Sequence, residues 1–254
     1  MARPVVRKSY LSNGQIAGAR KTMAKWWVTG ASRGLGAELV CQLAAAGHEV
    51  LALARDRVGL SAVQQRGGDG VRVDLLDLAA GDALAARIHS LVAAHGLPDG
   101  IVHNAGIGWY RPIVEHDEAT LRAIIQVNLT AVIQITHALL PAMIERGSGY
   151  VVAIGSDLGR RPLANMAAYV ASKHGLNGFM HSLLREVKHA GLRVSLIQPG
   201  MIDTGFGGHE TGRHARGTVL RPDALAKLIV QVVEQPDDLL VDELTVHPPG
   251  QGEF

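Results

Sequence analysis

The sequence predicts a single doubly wound α/β domain, a three-layer sandwich with helices on both faces of a parallel, seven-stranded sheet. Short apolar runs alternate with longer helical patterns, and this alternation produces parallel strands joined by right-handed crossovers. The runs are continuously apolar, as in strands buried on both faces. The length of 254 residues is near the upper size for one hydrophobic core, and neither an interdomain linker nor a solenoid repeat is evident.

The candidate elements follow one another along the chain. The predicted strands are 25–30, 48–54, 71–74, 100–106, 150–156, 192–200 and 239–246. The predicted helices are 34–47, 79–96, 118–146, 165–190 and 222–234, and none is assigned to 55–70. The one long irregular stretch, 200–221, is expected to be functional because long loops in compact domains usually are.

Composition narrows the class of protein. Apolar residues make up 47% and charged residues 19% of the chain, an ordinary globular balance. The most apolar segment, VNLTAVIQITHALLPAMI, is broken by Asn128, Gln134, His137 and Pro141, so no transmembrane helix is predicted. A single cysteine, Cys41, excludes an internal disulfide framework and favours a reducing compartment, the cytoplasm.

Residues 1–24 form a basic leader. They contain no acid and five basic residues: Arg3, Arg7, Lys8, Arg20 and Lys21. The remaining 20 basic and 23 acidic residues leave a net charge of −3, which does not suggest a nucleic-acid binder. Without the apolar region of a secretory signal, the leader is expected to be dispensable and poorly ordered. The alternatives are a transit-like segment, a nucleic-acid arm, or a cloning or start-site artefact with Met23 as the natural start.

A glycine-rich loop, TGASRGLG, joins the first strand to the first helix. Gly30, Gly34 and Gly36 would let the chain turn tightly and a pyrophosphate approach the backbone, where the helix offers free N–H groups and a positive dipole end. The position between strand and helix favours a dinucleotide site over a simple tight turn. The spacing differs from GxGxxG, and a Walker loop is excluded because no Lys-Ser or Lys-Thr follows.

Tyr169 and Lys173 lie four residues apart in AAYVASK. On a helix such residues share a face, with about 5–6 Å between their Cβ atoms. Free tyrosine has a pKa of about 10, and a neighbouring ammonium favours the phenolate. Lowering that pKa by about 3 units corresponds to roughly 4 kcal/mol, which one cation in a low-dielectric cleft can supply. The pair therefore predicts a tuned acid, with a chance surface pair as the alternative.

Six motifs together resemble those of the short-chain dehydrogenase/reductase family. They are TGASRGLG (29–36), HNAG (103–106), Asn128, Ser156, Tyr169 with Lys173, and PGMIDT (199–204). The first residue of HNAG, His103, departs from the family's NNAG. The resemblance covers residues 25–254 and implies a Rossmann-like fold with hydride transfer between a nicotinamide and a carbonyl or alcohol.

The resemblance also implies roles for four catalytic residues. Tyr169 would be the general acid in reduction and the base in oxidation, its pKa lowered by Lys173 and by an oxidised nicotinamide. Lys173 would also hold the nicotinamide ribose hydroxyls. Ser156 would hydrogen-bond the substrate oxygen, and Asn128 would hold a water linking Lys173 to solvent.

The cofactor-binding residues implied by the family motifs are Gly30, Ser32, Arg33, Gly34, Leu35, Gly36, Arg55, Asp74, Leu75, Asn104, Ala105, Gly106, Tyr169, Lys173, Pro199, Gly200, Ile202 and Thr204. The side chain of Asp74 or the next amide would meet the adenine, unless Asp74 is a helix N-cap. Asn104 is expected to brace strands rather than react.

The end of the second strand predicts NADP(H), with NAD(H) as the alternative. Ala54 stands where NAD-dependent relatives carry an acid for the ribose hydroxyls. Arg55 and Arg33 would offer guanidinium donors to a 2′-phosphate. Asp56 would take the ribose role if the strand ended one or two residues later.

The predicted substrate residues are Ser156, Asp157, Trp109, Tyr169 and Phe206, with 200–221 as a substrate lid. Asp157 would read a polar substrate group, although a solvated loop acid is favoured on general exposure. No metal site is predicted, because the histidines show no constellation of ligands.

The sequence thus predicts an NADP(H)-linked oxidoreductase acting on a small carbonyl or alcohol, with no nucleic-acid or membrane partner. The long helices 118–146 and 165–190 are the family's usual dimer faces and imply a homodimer or homotetramer. The rivals are an NAD-dependent alcohol dehydrogenase of the same family and a dinucleotide-sensing binding protein without turnover. The catalytic set argues against a sensor, which needs no proton donor.

Overall fold

The computed structural model describes residues 23–208, 210–215 and 217–252. It confirms the predicted sheet of seven parallel strands, in the order β3-β2-β1-β4-β5-β6-β7. Residues 1–22, most of the predicted basic leader, lie outside the described residues, and so do 209 and 216 of the predicted lid.

The elements alternate along the chain as predicted, with one additional helix between the second and third strands. The strands are β1 (Lys25–Thr29), β2 (Glu49–Ala54), β3 (Val71–Leu75), β4 (Gly100–His103), β5 (Gly149–Ile154), β6 (Leu192–Pro199) and β7 (Glu243–Val246). The helices are α1 (Gly34–Ala45), α2 (Arg57–Gly67), α3 (Ala83–His95), α4 (Glu118–Ile125), α5 (Ala131–Arg146), α6 (Ala167–Val187) and α7 (Pro222–Val233).

Two apolar clusters, one on each face of the sheet, hold the layers together. Successive strand residues point to opposite faces, so Trp26 joins the cluster beneath α1, α2 and α7. Trp27 joins the cluster beneath α3, α5 and α6. This division explains why the strands read as continuous apolar runs.

Helix α2 is absent from the sequence prediction. Its sequence RVGLSAVQQRG is mostly polar, and only Leu60 and Val63 are buried, so it lacks the broad apolar stripe that periodicity detects. The helix begins after Asp56, whose carboxylate accepts hydrogen bonds from the amides of Val58 at 3.0 Å and Gly59 at 3.1 Å. This N-cap residue is the sequence signal for α2 that the periodicity analysis did not include.

The predicted helix 118–146 is continuous but not uniform. A π turn, Gln126–Thr130, separates α4 from α5, and such turns are frequent at functional sites. The whole stretch is long and apolar enough to cross a membrane by length and composition. Within the fold many of its apolar side chains, among them Ile135 and Leu139, are buried against the sheet, which accounts for much of that apolarity.

The strand order places a crevice at one edge of the sheet. The chain moves outward from β1 to β3 and then returns to pair β4 with β1. Loops after the carboxyl ends of these neighbouring strands diverge, and ligands of open α/β sheets bind in that crevice.

Candidate active site

A cavity of about 1050 Å³ opens at the carboxyl edge of the sheet. It begins at the glycine loop after β1 and extends past the ends of β4 and β5 to the loop after β6. A volume of this size is at the upper end for ligand pockets and suits an extended molecule with a second small one beside it.

Most of the predicted site residues line this cavity. They are Gly30, Ser32, Arg33, Gly34, Leu35, Gly36, Arg55, Asn104, Ala105, Gly106, Ser156, Asp157, Tyr169, Lys173, Pro199, Gly200, Ile202, Thr204 and Phe206. Four predicted residues, Asp74, Leu75, Trp109 and Asn128, are not in its lining.

The glycine loop passes too close to its neighbours to carry side chains. A Cβ on Gly30, whose φ is +65°, would lie 2.7 Å from the Cα of Ala105. A Cβ on Gly36 would overlap the carbonyl oxygen of Gly30. Helix α1 then starts without a side-chain cap and without an acid in its first turn. Its first amides therefore face the cavity free to bind an anion.

Tyr169 and Lys173 lie in the first two turns of α6 and are both buried. The Lys173 Nζ is 5.6 Å from the centre of the Tyr169 ring and donates a hydrogen bond to the carbonyl of Ile154 at 2.8 Å. The ring of Phe206, from the loop after β6, meets the Tyr169 ring edge-on at 5.4 Å. The helical spacing thus brings phenol and ammonium to one wall of the cavity.

The predicted lowering of the tyrosine pKa is not found in the chain alone. Burial raises the pKa of Tyr169 to about 12, opposed by a hydrogen bond with Ser156 and reinforced by the charge of Asp157. Burial also lowers the pKa of Lys173 to about 8. Desolvation disfavours both charged forms, and it is the main cause of both shifts.

Asp157 is not the solvated loop acid that the sequence favoured. It is 5% exposed and follows Ser156 directly after β5. Its Oδ1 accepts hydrogen bonds from the Ser156 hydroxyl at 3.1 Å and from the Leu158 amide at 2.9 Å. The Nε2 of Gln251 donates to Oδ2 at 2.8 Å, so the carboxylate is occupied by the protein rather than turned toward a substrate.

Asn128 sits in the π turn, fully buried behind the site. Its amide oxygen accepts from the Ile107 amide and its nitrogen donates to the Ile107 carbonyl, both at 2.8 Å. The same nitrogen donates to the Ser172 hydroxyl at 3.0 Å. Asn128 therefore fixes the loop after β4 against α6.

Asn104 braces strands as expected, since its side chain donates to the carbonyls of Thr29 and Gly30 at 3.0 and 3.1 Å. His103, where the motif departs from the family pattern, is buried and hydrogen-bonds to Thr136 at 3.1 Å. Burial lowers the pKa of His103 to about 3, which keeps this imidazole neutral.

Asp74 and Leu75, the residues predicted to meet the adenine, do not line the cavity. Asp74 lies within β3, and its carboxylate pairs with Arg87 at 2.6 Å and His95 at 3.0 Å, while Leu75 ends the strand. The next residues, Leu76 and Asp77, line the cavity instead. The reason is that β3 extends one residue beyond the predicted end.

On the opposite wall, one of the two adjacent aromatic residues, Trp109 and Tyr110, lines the cavity and the other does not. Tyr110 lines the cavity, whereas Trp109 is 37% exposed and lies outside the lining. The motif could identify this loop but not which of two adjacent aromatic side chains turns inward.

The rim at the end of β2 carries the residues expected to select the cofactor. Arg33 is exposed, and in the described part of the chain no hydrogen bond or ion pair holds its guanidinium. Arg55 is 3.8 Å from Asp77 in an exposed pair. The strand ends at Ala54 as predicted, and Asp56 caps α2.

Sequence reasoning missed several residues of the lining, notably Leu163, Met166 and Gln251. Leu163 and Met166 precede α6 in a loop without periodicity. Gln251 lies far along the chain after β7, and no motif marked it. Among the described residues, no group of three His, Cys, Asp or Glu side chains could hold a metal ion.

The fold and the site together define a dinucleotide-binding α/β protein, and comparison with known proteins identifies its family. A family model described as short chain dehydrogenase matches residues 25–213. An uncharacterized oxidoreductase of Staphylococcus saprophyticus is 31% identical over 225 residues, which cover 87% of this chain and 95% of that protein. The chain belongs to the short-chain dehydrogenase/reductase family and is an oxidoreductase of that family.

Solved structures of relatives agree. An alcohol dehydrogenase from the archaeon Thermococcus sibiricus, complexed with 5-hydroxy-NADP, is similar with a TM-score of 0.84 and 26% identity, covering 92% of this chain and all of that one. A metagenomic short-chain oxidoreductase in complex with NADP is similar with a TM-score of 0.77 and 36% identity, covering 89% and 96%. A nicotinamide dinucleotide is therefore the cofactor class that these relatives support for the chain.

Proposed function

We propose that this protein is an NADP(H)-dependent oxidoreductase that interconverts a small carbonyl compound and its alcohol, with Tyr169 as the general acid and base. The observation that carries the proposal is the buried group of Ser156, Tyr169 and Lys173 in the same cavity as the glycine loop. One end of the cavity suits a pyrophosphate and the other holds a proton donor beside a hydroxyl.

The residues present fit a nicotinamide dinucleotide. Gly30 and Gly36 leave no room for side chains where the backbone must be approached closely, and the uncapped start of α1 offers amides to phosphate. When bound, such a cofactor supplies the hydride and, in its oxidised form, a positive charge. Lys173 and the PGMIDT segment would hold its nicotinamide half.

Side chains of the protein itself carry out the proton transfer. During reduction negative charge grows on the carbonyl oxygen, and the Tyr169 hydroxyl donates its proton to that oxygen. Ser156 hydrogen-bonds the same oxygen as it becomes charged. Burial keeps Tyr169 protonated, which suits donation. In oxidation, the charge of Lys173 is the chain's own means of favouring the phenolate.

The choice of NADP rests on charge. Arg33 and Arg55 line the rim beside Ala54, and a 2′-phosphate prefers guanidinium donors. Two acids, Asp56 and Asp77, share the rim and favour the NAD alternative. However, Oδ1 of Asp56 is bonded to two α2 amides, and Asp77 accepts from the Ala79 amide at 3.0 Å.

The decisive experiment is a screen for NADPH and NADH oxidation with aldehydes, ketones and quinones, followed by kcat/KM with each cofactor. We expect the parent to prefer NADP. Arg33→Ala, and Ala54→Asp combined with Arg55→Ala, should lose that preference. Arg57→Ala is the matched control, since Arg57 is exposed but outside the cavity lining. A parent that prefers NAD, or a double variant that retains its NADP preference, would contradict this choice.

The proposal includes a reducing, cytoplasmic setting and a homo-oligomer, both expected from the sequence. The sensor alternative is distinguished by the same screen. A chain that binds NADP tightly but turns over no carbonyl or alcohol would be a binding protein.

A further inference from the structure

The segment after β7 returns to the cavity and contacts both ends of the loop that follows β6. The amide of Gly250 donates to the carbonyl of Gly217 at 2.8 Å. The side chain of Gln251 lines the cavity beside Met201 and Asp157. We propose that Gln251 is a positioning residue for the Ser156 hydroxyl, acting through the buried Asp157 carboxylate. This inference rests on the proposed hydride-transfer function.

Both polar atoms of the Gln251 side-chain amide form hydrogen bonds. Its Nε2 donates to Oδ2 of Asp157 at 2.8 Å, and its Oε1 accepts from the Met201 amide at 3.0 Å. The reversed amide would place its oxygen against a carboxylate and its NH₂ against an N–H, so these partners fix the orientation. Gly200 makes room for the amide, since a Cβ there would overlap Oε1 of Gln251.

Asp157 connects this amide to the catalytic serine. A buried carboxylate is stable only when donors surround it. Oδ1 accepts hydrogen bonds from the Ser156 hydroxyl and the Leu158 amide. Oδ2 accepts a hydrogen bond from Gln251, and Nε2 of His247 lies 3.4 Å from the same oxygen. Gln251 is therefore the close neutral donor that compensates the half of the carboxylate turned away from the serine.

The consequence for Ser156 follows from its single hydrogen. A serine hydroxyl can donate one hydrogen bond at a time, and Asp157 competes for it with the phenol and with the substrate oxygen. Without the Gln251 donor, the negative charge on Asp157 is less dispersed and attracts the serine hydrogen more strongly. Less hydrogen bonding then remains for the oxygen that becomes charged in the transition state.

Two substitutions distinguish the proposed positioning of Ser156 from a purely structural role of Gln251 in holding the loop after β6. Gln251→Met removes both hydrogen bonds and leaves a side chain of similar size. Gln251→Glu keeps an acceptor for the Met201 amide but places a second carboxyl against Asp157. Two adjacent carboxyls share a proton at low pH and repel when both ionise. In its protonated form the introduced carboxyl can still donate to Asp157, whereas in its ionised form it cannot.

We expect kcat of Gln251→Glu to approach the parent value near pH 5.5 and to fall at least about 10-fold below it by pH 8. Gln251→Met should be slower at every pH. Other titratable groups around the site are His247, Tyr169, Lys173 and Asp203. They are common to all three proteins, so the pH dependence assigned to the introduced carboxyl is the part that Gln251→Glu shows and Gln251→Met does not. Gln231→Met is the control, since Gln231 is exposed on α7 and lies outside the cavity lining.

Hydrogen exchange at the Met201 amide gives a readout that needs no substrate. Because Gln251 accepts from this amide, exchange should accelerate in Gln251→Met and stay slow in Gln251→Glu. A ratio of kcat that does not change with pH in Gln251→Glu, or parent-like exchange in Gln251→Met, overturns the inference.

The two proposals fail in different ways. Without turnover of any carbonyl by the parent, the proposed function fails and the catalytic part of this inference fails with it. An active parent whose activity is insensitive to Gln251 overturns the inference alone.

Discussion

Tyr169 and Lys173 are the residues that carry the proposed chemistry, and the structure changes the expectation for both. Their spacing predicted their neighbourhood correctly, because i and i+4 positions share a helix face. It could not predict their desolvation, because burial depends on residues from distant segments. Phe206 comes from the loop after β6, and Ile154, whose carbonyl binds Lys173, ends β5.

Tyr169→Phe should keep the fold and cofactor affinity while turnover falls on the order of 10²–10⁴-fold, because the proton donor is lost. Steady-state kinetics and cofactor titration would measure the two effects. Tyr150→Phe is the matched control: it removes a buried hydrogen bond to Ser195, and neither residue lines the cavity. It should lower the free energy of unfolding by about 1 kcal/mol with turnover intact. Parent-like turnover in Tyr169→Phe would disprove the mechanism.

Lys173 should give stability a characteristic pH dependence. Its pKa is about 8 in the folded protein against 10.5 ordinarily. Between these values the unfolded chain binds more protons, so the contribution to stability is present above pH 10.5 and is lost as pH falls from there through 8. The free energy of unfolding of the parent, minus that of Lys173→Met, should rise by about 2 kcal/mol between pH 7 and pH 9.5.

Denaturant unfolding at both pH values measures this difference. Lys227→Met is the control, since Lys227 is exposed on α7 and its replacement should show no such trend. A difference for Lys173→Met that stays constant with pH would mean that the ammonium keeps its charge in the folded state.

At the scale of elements, the strongest sequence signals were those with a period or a motif. The strands and six of the seven helices, α4 and α5 as one continuous stretch, could be located because they bury apolar faces. Helix α2 could not, because its stability depends on a cap and only two buried side chains. The π turn in the long helix, Gln126–Thr130, was also not predicted.

Asp56→Ala should destabilise α2 and lower the free energy of unfolding by about 1 kcal/mol, because two amides lose their acceptor. Asp56→Ser should restore most of that loss. Neither change should lower kcat/KM with NAD, since the carboxylate caps the helix. A selective loss of NAD activity in both variants would instead assign the ribose role to Asp56.

For the whole molecule, the order of the strands determines what can meet at the site. Motifs that are far apart in sequence converge because parallel strands place all their carboxyl ends at one edge. The same topology brings Gln251 there, although no local pattern distinguishes it. Family motifs therefore pointed to the glycine loop and the proposed catalytic residues, whereas the lining contributed by later loops required the folded chain.

The outer faces of the long helices should pair with a second copy of the chain. Ile125, Ile133 and Ile144 are 36–43% exposed on α4 and α5. We predict a homodimer or homotetramer at micromolar concentration, measurable by sedimentation. Ile133→Asp should shift the distribution toward monomer, because it places a charge at an apolar contact, while Lys227→Met should leave it unchanged. A monomeric parent would contradict the prediction.

The pairing of β1 with β4 also bears on how the chain reaches its native state. Trp26 lies opposite Gly100, so the middle of the sheet joins segments that are remote in sequence, whereas β1, α1 and β2 form a local unit. Long-range parallel pairing is slow because loop-closure entropy is lost before contacts form. The cavity lies across the junction of β1 and β4, since residues that follow both strands line it. During refolding, the ability to bind a dinucleotide should therefore return later than the helical signal.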